Sequence, residues 1–223
     1  MAKIRNFVFG KASGKLGPVV FRVVRGQQFI VQRPTSYTTS NSELALFSRN
    51  RLVSLVKFSS FLNKNKYIKQ FWCDESLIGW SPYHRILNFN SPRLSGAFIS
   101  SKNSLVPVAW LDPVKSVAFS GNTLTVTLPE NIFDPVATQF RLDLVIVLTQ
   151  PCEKIEQLLA CFSLFSEITV NELVHSFVLD DEITSRFPEY SQMIVFPLFS
   201  FEKEEQLTAS LQGGTSFTLP VPA

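Results

Sequence analysis

The second half of this sequence is a series of short apolar segments of strand length, separated by polar turns. Beginning near Leu105, they recur about every 8–15 residues, a spacing typical of antiparallel β-sandwiches. We expect strands at Val114–Phe119, Thr123–Leu128, Leu142–Leu148, Leu158–Phe165, His175–Leu179, Met193–Phe199, Gln206–Leu211 and Ser216–Val221. Thr123–Leu128 alternates strictly between polar and apolar residues. Leu158–Phe165 stays open between strand and helix, because a short apolar run fits both.

The first half has a different pattern. Residues 1–34 predict a basic β-hairpin or three short strands, with a turn at Arg25-Gly26. The unit ends at Pro34, because proline cannot donate to a β-ladder. Residues 39–62 predict a helix with Ser40 or Asn41 as its cap. Apolar side chains at helical spacing define its core face: Leu44, Phe47, Leu55, Phe58 and Leu62. We expect three more to widen that face: Val53, Val56 and Phe61.

We therefore predict an α+β chain. A basic hairpin and helical module would span residues 1–104, with further helical turns at Lys64–Phe71 and Pro82–Leu87, and a β-sandwich would span residues 105–223. Hydrophobic residues make up 45% of the chain and charged residues 17%, which is enough apolar material for a core. The 21 phenylalanines favour β structure.

Charge divides the chain along its length, although the formal net charge is only +3. Residues 1–70 hold 13 Lys or Arg and a single acid, Glu43, whereas residues 71–223 hold 8 Lys or Arg and 17 acids. Such a basic region attracts an anionic partner, such as nucleic acid or a membrane surface, or it attracts the acidic region of a second copy. Complementarity of the second kind steers association and fixes its register.

We predict that a head-to-tail contact would use the densest charged clusters. The basic side would be formed by Lys11, Lys15, Arg22, Arg25 and Arg33. The acidic side would be formed by Asp180, Asp181, Glu182, Glu204 and Glu205. The acidic triplet that begins at Asp180 lacks the glycine and the later glutamate of a calcium loop, so a solvated turn is its simplest role.

No motif in this sequence indicates a particular enzymatic reaction. Gly10–Gly17 resembles a phosphate-binding loop, but only three residues separate its first two glycines, and Leu16 stands where a magnesium-binding Ser or Thr would be. A tight cationic loop is its simpler interpretation. His84 and His175 have no evident catalytic partner nearby in the sequence, and no Gly-x-Ser-x-Gly elbow is present. We expect a non-enzymatic protein with no cofactor and no metal site.

The cysteines and the apolar segments of the sequence indicate in which cellular compartment the protein is expected to be made. Cys73, Cys152 and Cys161 have no metal-ligand spacing, so we expect free buried thiols. Residues 1–11 lack an apolar stretch of about 7–15 residues, so we expect no signal peptide and synthesis in the cytoplasm. A virion or an extracellular assembly stays open as the final location. The longest apolar run, Leu142–Leu148, contains an aspartate, so we expect no membrane span.

Nucleic-acid binding is the alternative function. Basic residues of the N-terminal segment are interleaved with Phe7, Phe9, Phe21 and Phe29, and such residues can neutralise phosphates and stack on bases. However, alternation along a strand puts Phe21 and Arg22 on opposite faces, which favours a core role for Phe21. A further hypothesis is a carbohydrate-binding module with an aromatic platform of Trp72, Trp80, Tyr83 and Trp110. Core packing is the simpler role for these aromatics.

One further pattern covers about the first 60 residues. It begins with Phe9–Arg22, continues with Arg25–Gln27 and Gln32–Pro34, and is followed by the helical segment Ser48–Phe61. This pattern resembles the start of an uncharacterised domain-of-unknown-function family of Bacteroidota, whose members open with a Ser-Gly-Lys-Leu/Val-Gly hairpin block. The resemblance implies a basic hairpin and a helix followed by an immunoglobulin-like body. It implies no activity and no catalytic residues.

From these features we predict a structural subunit of a self-assembling particle, such as a phage virion, a tail-like ring or a filament. The charge division, the β-rich body and hairpin edges that could pair between copies favour this function. Expected partners are other copies of the chain and other particle proteins, with nucleic acid as the alternative partner.

Overall fold

The structure is a computed structural model, which describes residues 2–3, 14–24, 27–33, 36, 39–74, 76–107, 114–130, 132–133, 137, 139–149, 159–170, 172–203, 206–212 and 217–220. The chain forms two compact units, Met1–Ser42 and Glu43–Ala223. The buried apolar side chains of the described residues all belong to the second unit. The structure is therefore a mixture of helix and antiparallel sheet whose core is built by the later part of the chain.

The first unit is a four-stranded antiparallel sheet in the order β1-β4-β3-β2. Its strands are β1 (Ala2–Lys3), β2 (Gly14–Leu16), β3 (Val19–Val24) and β4 (Gln27–Gln32). β3 and β4 pair without a shift up to Val24 and Gln27, which confirms the predicted hairpin, although Arg25-Gly26 and the predicted apolar segment Phe7–Phe9 lie outside the described residues. Gly14–Leu16 form a strand where a loop was expected, and Gly17 turns the chain at φ +55°, a conformation that glycine favours.

Helices open the second unit: α1 (Glu43–Lys64), α2 (Lys66–Gln70) and α3 (Pro82–Asn90). Asn65 separates the first two, and its side-chain oxygen accepts hydrogen bonds from two backbone N–H groups of α2. Ser81 caps α3, and Pro82 occupies the first turn, where its missing N–H costs nothing. The three predicted helical segments are confirmed. A short α4 (Asp181–Thr184) comes later, and 3₁₀ turns lie at Ser91–Arg93 and Phe187–Glu189.

Eight strands complete the second unit: β5 (Ser116–Ser120), β6 (Thr123–Thr127), β7 (Gln139–Thr149), β8 (Leu159–Ile168), β9 (Val174–Val178), β10 (Gln192–Lys203), β11 (Gln206–Gln212) and β12 (Phe217–Pro220). The central sheet has the order β8-β7-β10, and β11 and β12 share the remaining edge of β10. β7 and β8 pair at ten positions, so Leu159–Phe165 of the ambiguous segment belong to a strand, and Leu158 lies outside the described residues. A second sheet has the order β5-β6-β9.

The central sheet is covered on both faces. Val145 and Val147 of β7 belong to a core shared with the helices, including Leu55 and Phe58 of α1. The alternate positions of β7 belong to a core shared with the second sheet: Phe140, Leu142, Leu144, Ile146 and Leu148. The second unit is thus built of three layers, with the helices, the central sheet and the β5-β6-β9 sheet in that order.

This layering places the division of the chain elsewhere than the expected boundary after residue 104. The helices that precede residue 104 share one core with β7 and β10, so they group with the later strands. Only the N-terminal sheet separates as a unit of its own. Two antiparallel sheets packed on each other form the sandwich-like part of the predicted fold. The helical cover on the far face of the central sheet was not expected.

Candidate functional site

The structure describes six of the ten residues predicted to form a contact between copies. The basic ones are exposed in the first unit: Lys15, Arg22 and Arg33. The acidic ones are exposed in the second unit: Asp180, Asp181 and Glu182. The other four lie outside the described residues: Lys11, Arg25, Glu204 and Glu205. Asp180 also caps α4, because its Oδ1 accepts the backbone N–H of Ile183 at 3.1 Å. Their role in a contact stays a prediction.

The N-terminal sheet has two chemically different faces. Arg22 on β3 pairs directly with Phe29 on β4, so a cation and an aromatic ring lie side by side on one face. Lys15 joins this face from β2. Phe21 lies on the opposite face, where the described strand residues carry no charge, as alternation predicted. The Arg22–Phe29 neighbourhood was not predicted from the sequence, because cross-strand pairing joins residues that are seven positions apart.

The helices form a basic and partly apolar surface of the second unit. Residues 43–107 hold nine Lys or Arg and three acids. The exposed bases in this part include Arg49, Lys57, Lys64, Lys66 and Lys102. Seven of the thirteen exposed large apolar side chains of the described residues also lie here: Leu44, Phe47, Leu52, Val53, Val56, Ile78 and Trp80. Solvent therefore meets positive charge and apolar groups together on this side.

α1 has apolar side chains on both of its sides. Leu55 and Phe58 are buried against the central sheet, but Val53 is 46% exposed. The expectation that Val53 and Val56 widen the core face is wrong, because two residues turn a helix by about 200°. Val53 therefore faces away from Leu55, and Leu52 and Val56 lie on the same outer side. Exposed apolar side chains opposite the core face of a helix mark a surface for a further contact.

The outer face of the β5-β6-β9 sheet carries no charge. Three rows of register partners cross it: Ser116, Thr127 and Val174; Ala118, Thr125 and Ser176; Ser120, Thr123 and Val178. The alternate positions of these strands, such as Leu124, Val126 and Phe177, are buried against the central sheet. Val178, which is 73% exposed, is the most open apolar residue of this face.

Acidic residues stand at both ends of this uncharged face. Residues 108–223 hold five Lys or Arg and fifteen acids. Glu130 and Glu172 are exposed at one end, where Leu128 N–H donates to Leu173 O at 2.7 Å. Asp180, Asp181 and Glu182 follow β9 at the other end. Of the described bases, Lys115 stands at the same end as Glu130 and Glu172, where its N–H donates to Thr127 O at 2.8 Å, and Arg186 lies 4.0 Å from Glu189. The second sheet therefore has an apolar to neutral centre and acidic ends.

An ion pair between two residues of β7 contacts α2 through the ring of Tyr67. Arg141 Nη2 lies 2.8 Å from Asp143 Oδ1, and Asp143 is 1% exposed. The guanidinium lies 4.3 Å from the ring centre of Tyr67 and 4.1 Å from that of Phe165. The hydrogen bonds to Asp143 raise the pKa of Arg141, whereas burial raises the pKa of Asp143 despite those bonds. Tyr67 Oη lies 2.6 Å from Ser200 Oγ, which adds a second tie between the layers.

Local structure accounts for both histidines. His84 Nδ1 lies 2.7 Å from Ser81 Oγ, and the same hydroxyl accepts the His84 backbone N–H at the start of α3. This Ser–His pair, which sequence inspection missed, is a helix cap. His175 is buried, with its Nε2 2.9 Å from Glu172 O. Within the described ranges, no three His, Cys, Asp or Glu side chains are grouped so that they could hold a metal ion.

The two described cysteines lie in different environments. Cys161 packs against the core beneath the helices, and burial raises its pKa to about 12. Cys73 is exposed, which corrects the expectation of a buried thiol, and Cys152 lies outside the described residues.

Trp72 is fully buried and donates its Nε1–H to Leu105 O at 2.7 Å, whereas Trp80 is 85% exposed. An aromatic platform that includes Trp72 is therefore excluded, because its ring serves the core. Of the other predicted members, Tyr83 is half-buried and Trp110 lies outside the described residues.

Comparison with known proteins finds no match for this chain among protein-family models, curated proteins or solved structures. None of the helices in the described part of the chain is long and apolar enough to cross a membrane. The candidate site is therefore the pair of surfaces on the two sides of the second unit. One is the basic and apolar helical surface, and the other is the neutral sheet face with acidic ends.

Proposed function

We propose that this protein is a structural subunit that assembles head to tail with copies of itself into a filament or a ring, as in a virion or a tail-like particle. One observation carries the proposal. The helical layer is basic, whereas the β5-β6-β9 layer has an uncharged outer face with acidic residues at its ends, and each layer exposes apolar side chains on its outer surface. Two such different outer surfaces on one unit suit a contact between different surfaces of successive copies.

The geometry favours a heterologous contact over a two-fold dimer. A two-fold axis brings the same patch of both copies together, which would place the basic helices against basic helices. Repulsion between like charges would oppose that arrangement. A contact between the helices of one copy and the second sheet of the next pairs unlike charges instead, and repetition of that contact gives an open filament or a closed ring.

Exposed apolar residues on both surfaces support the same proposal. Scattered apolar residues are normal on a protein surface, but clusters rimmed by polar groups mark interaction sites. The helical surface combines apolar residues with bases, whereas the β5-β6-β9 face exposes Val174 and Val178 on an uncharged surface that has acids beyond its ends. An apolar centre with a charged rim is the usual composition of a protein interface.

The detailed fold class of the two packed sheets is also part of what we propose. The two packed antiparallel sheets support a β-sandwich, and the immunoglobulin-like assignment stays a prediction. Membership of the Bacteroidota family whose opening block this sequence resembles is likewise proposed. Its support is the hairpin of β3 and β4 followed by α1, which is the order that the resemblance implies.

Light scattering behind size exclusion, at low and high salt and over a range of protein concentration, tests the assembly. We expect particles larger than one chain at low salt, a shift towards single chains at high salt, and rings or fibres in negative-stain images. A single chain under every condition would overturn the proposal.

Two variants with equal charge loss test which basic surface makes the contact. The helical variant changes Arg49, Lys57 and Lys66 to Gln, and the N-terminal variant changes Lys15, Arg22 and Arg33 to Gln. We expect the helical variant to lose assembly and the N-terminal variant to keep it. The opposite result would show that the N-terminal sheet makes the contact, as the sequence alone predicted.

The pairing of Arg22 with Phe29 favours a second candidate function, binding of single-stranded nucleic acid by the N-terminal sheet. A cation beside an aromatic ring can neutralise a phosphate while the ring stacks on a base. Fluorescence anisotropy with a labelled oligonucleotide at rising salt tests this function. We expect Phe29→Ala to weaken binding more than Phe21→Ala, because Phe21 lies on the uncharged face. Equal effects of the two substitutions, or no binding at low salt, would exclude it.

A further inference from the structure

We infer that the outer face of α1 in one copy packs on the outer face of the β5-β6-β9 sheet in the next copy. This inference rests on the proposed head-to-tail assembly and names the two surfaces that meet. The helix would then lie between its own central sheet and the second sheet of its neighbour. The apolar side chains on both sides of α1 would be covered, which the single chain does not achieve.

The outer face of α1 is a short apolar stripe between two bases. Arg49, Val53 and Lys57 follow each other at intervals of four residues, so they form one row along the helix. Leu52 and Val56 form the adjacent row, also at an interval of four. All five side chains are exposed. The two bases are about 12 Å apart along the helix axis, at about 1.5 Å per residue.

The second sheet offers a matching surface. Val174 and Val178 are four residues apart, which is about 13 Å along a strand, and the acids stand beyond each end of that stretch. Three strands at about 4.8 Å spacing make a face about 10 Å wide, close to the diameter of one helix. A helix laid along the strands therefore sets its apolar stripe on the neutral rows and brings Arg49 and Lys57 to opposite acidic ends.

Charge complementarity identifies a second copy as the occupant. The nine outward positions of the β5-β6-β9 sheet carry no charge, so they tolerate apolar residues, and the acids at the ends fit a partner with two separated bases. The outer face of α1 meets both requirements. A polyanion such as nucleic acid would be repelled by Glu172 at one end and by Asp181 and Glu182 at the other.

Two single substitutions block one surface each. Val53→Asp puts a short carboxylate at the centre of the helical stripe, and Thr125→Asp puts one at the centre of the sheet face. Neither carboxylate can reach solvent once the contact forms, so we expect about a 30-fold or greater loss of association for each variant. Leu44→Asp is the matched control, because Leu44 is more exposed than Val53 but lies outside the Arg49–Lys57 row.

Mixing the two blocked variants gives a result that no other arrangement predicts. Each variant alone should remain a single chain. A mixture should form dimers of one copy of each and nothing larger, because the intact helix of Thr125→Asp can bind the intact sheet of Val53→Asp, while the two altered surfaces repel each other. Formation of this dimer also shows that both variants are folded. Light scattering and native mass spectrometry of the mixture measure the outcome.

The results separate this inference from the assembly itself. If the unaltered chain assembles and both blocked variants still assemble, the surfaces are wrong and the assembly stands. If only one variant loses assembly, or Leu44→Asp loses it equally, the pairing of these two surfaces is overturned. If the unaltered chain never assembles, the proposed function fails first. Two inert variants, an assembling control and a mixed dimer would support the inference.

Discussion

The helices and the β5-β6-β9 sheet cover opposite faces of one central sheet, and their inner sides resemble each other more than their outer sides do. Under the helices, the rings of Phe58 and Phe196 lie 5.9 Å apart. Under the second sheet, the rings of Phe140 and Phe199 are stacked at 5.8 Å. Outside, one layer is basic and the other is neutral with acidic ends. Packing thus constrains only the inner sides and leaves the outer sides open to another role.

The largest expected effects come from the inner sides. Phe58→Ala and Phe199→Ala should each lower the free energy of unfolding by about 3–5 kcal/mol, because each removes a fully buried ring from a packed core. Urea denaturation measures both losses. We expect them to agree within about 1 kcal/mol, since both layers bury their aromatic rings equally well. A much smaller loss of unfolding free energy for one variant would contradict this expectation. It would show that the layer beside that ring packs only loosely on the central sheet.

The ion pair under the helices should show the next largest effect. Arg141→Ala leaves Asp143 buried without its partner, so we expect a loss of about 3 kcal/mol in the free energy of unfolding. The double variant Arg141→Met with Asp143→Leu should lie much closer to the unaltered protein, because it removes both buried charges. Denaturation of both variants decides the point. Equal losses would show that shape, and not charge, is what the pair supplies.

The pH dependence of the Arg141–Asp143 ion pair tests the difference between the two cores further, because the described part of the core under the second sheet contains no ion pair. The pKa of Asp143 is raised above its ordinary value of 3.8, so the folded protein holds this proton more tightly than the unfolded chain does. The resulting stabilisation is fully present below pH 3.8 and is lost as the pH rises through the raised pKa. We therefore expect the loss caused by Arg141→Ala to shrink as the pH is lowered from 7 towards 3.8. A constant loss would contradict the burial of this carboxylate.

Outer positions should have the smallest effect on folding. Val53→Ala and Val178→Thr should change the free energy of unfolding of the single chain by no more than about 0.5 kcal/mol, because both side chains are largely exposed. Denaturation at high salt, where assembly is suppressed, measures this. A loss above 1 kcal/mol at either position would show that the residue already has a covering partner within its own chain.

Thiol labelling compares an exposed and a covered site directly. Cys73 is exposed, whereas Cys161 lies against the core beneath the helices with its pKa raised to about 12 by burial. At pH 8 we expect iodoacetamide to label Cys73 and to leave Cys161 unmodified until urea unfolds the chain, since the thiolate is the reactive form. Peptide mapping by mass spectrometry distinguishes the two sites. Early labelling of Cys161 would mean that the helices open readily.

Local patterns predicted the elements of this fold well. Thr123–Leu128 alternates because one of its faces packs on the central sheet, and β6 occupies that segment. The predicted helical turn Pro82–Leu87 lies within α3, which begins at Pro82 and is capped locally by Ser81. These features depend on residues that are close in the sequence, so the sequence alone contains the information.

Arrangements that join distant residues escaped prediction. No residue near Leu55 in the sequence indicates that Leu55 shares a core with Val145, so the packing of the helices on the central sheet was not predicted. The Arg22–Phe29 pair likewise required the register of a hairpin. The outer face of α1 could have been found, because the angle between Val53 and Leu55 follows from helix geometry alone.

The order of the layers along the chain also governs how the protein is made. The helices are synthesised before β7 and β10, so Phe58, Leu62 and Trp72 leave the ribosome well ahead of the strands that will cover them. Until those strands pair, the nascent chain exposes the apolar side chains of both sides of α1. Chaperones and neighbouring nascent chains would meet this segment first. Slower synthesis of the residues between 64 and 139 would therefore prolong the exposure of these side chains before the core can close.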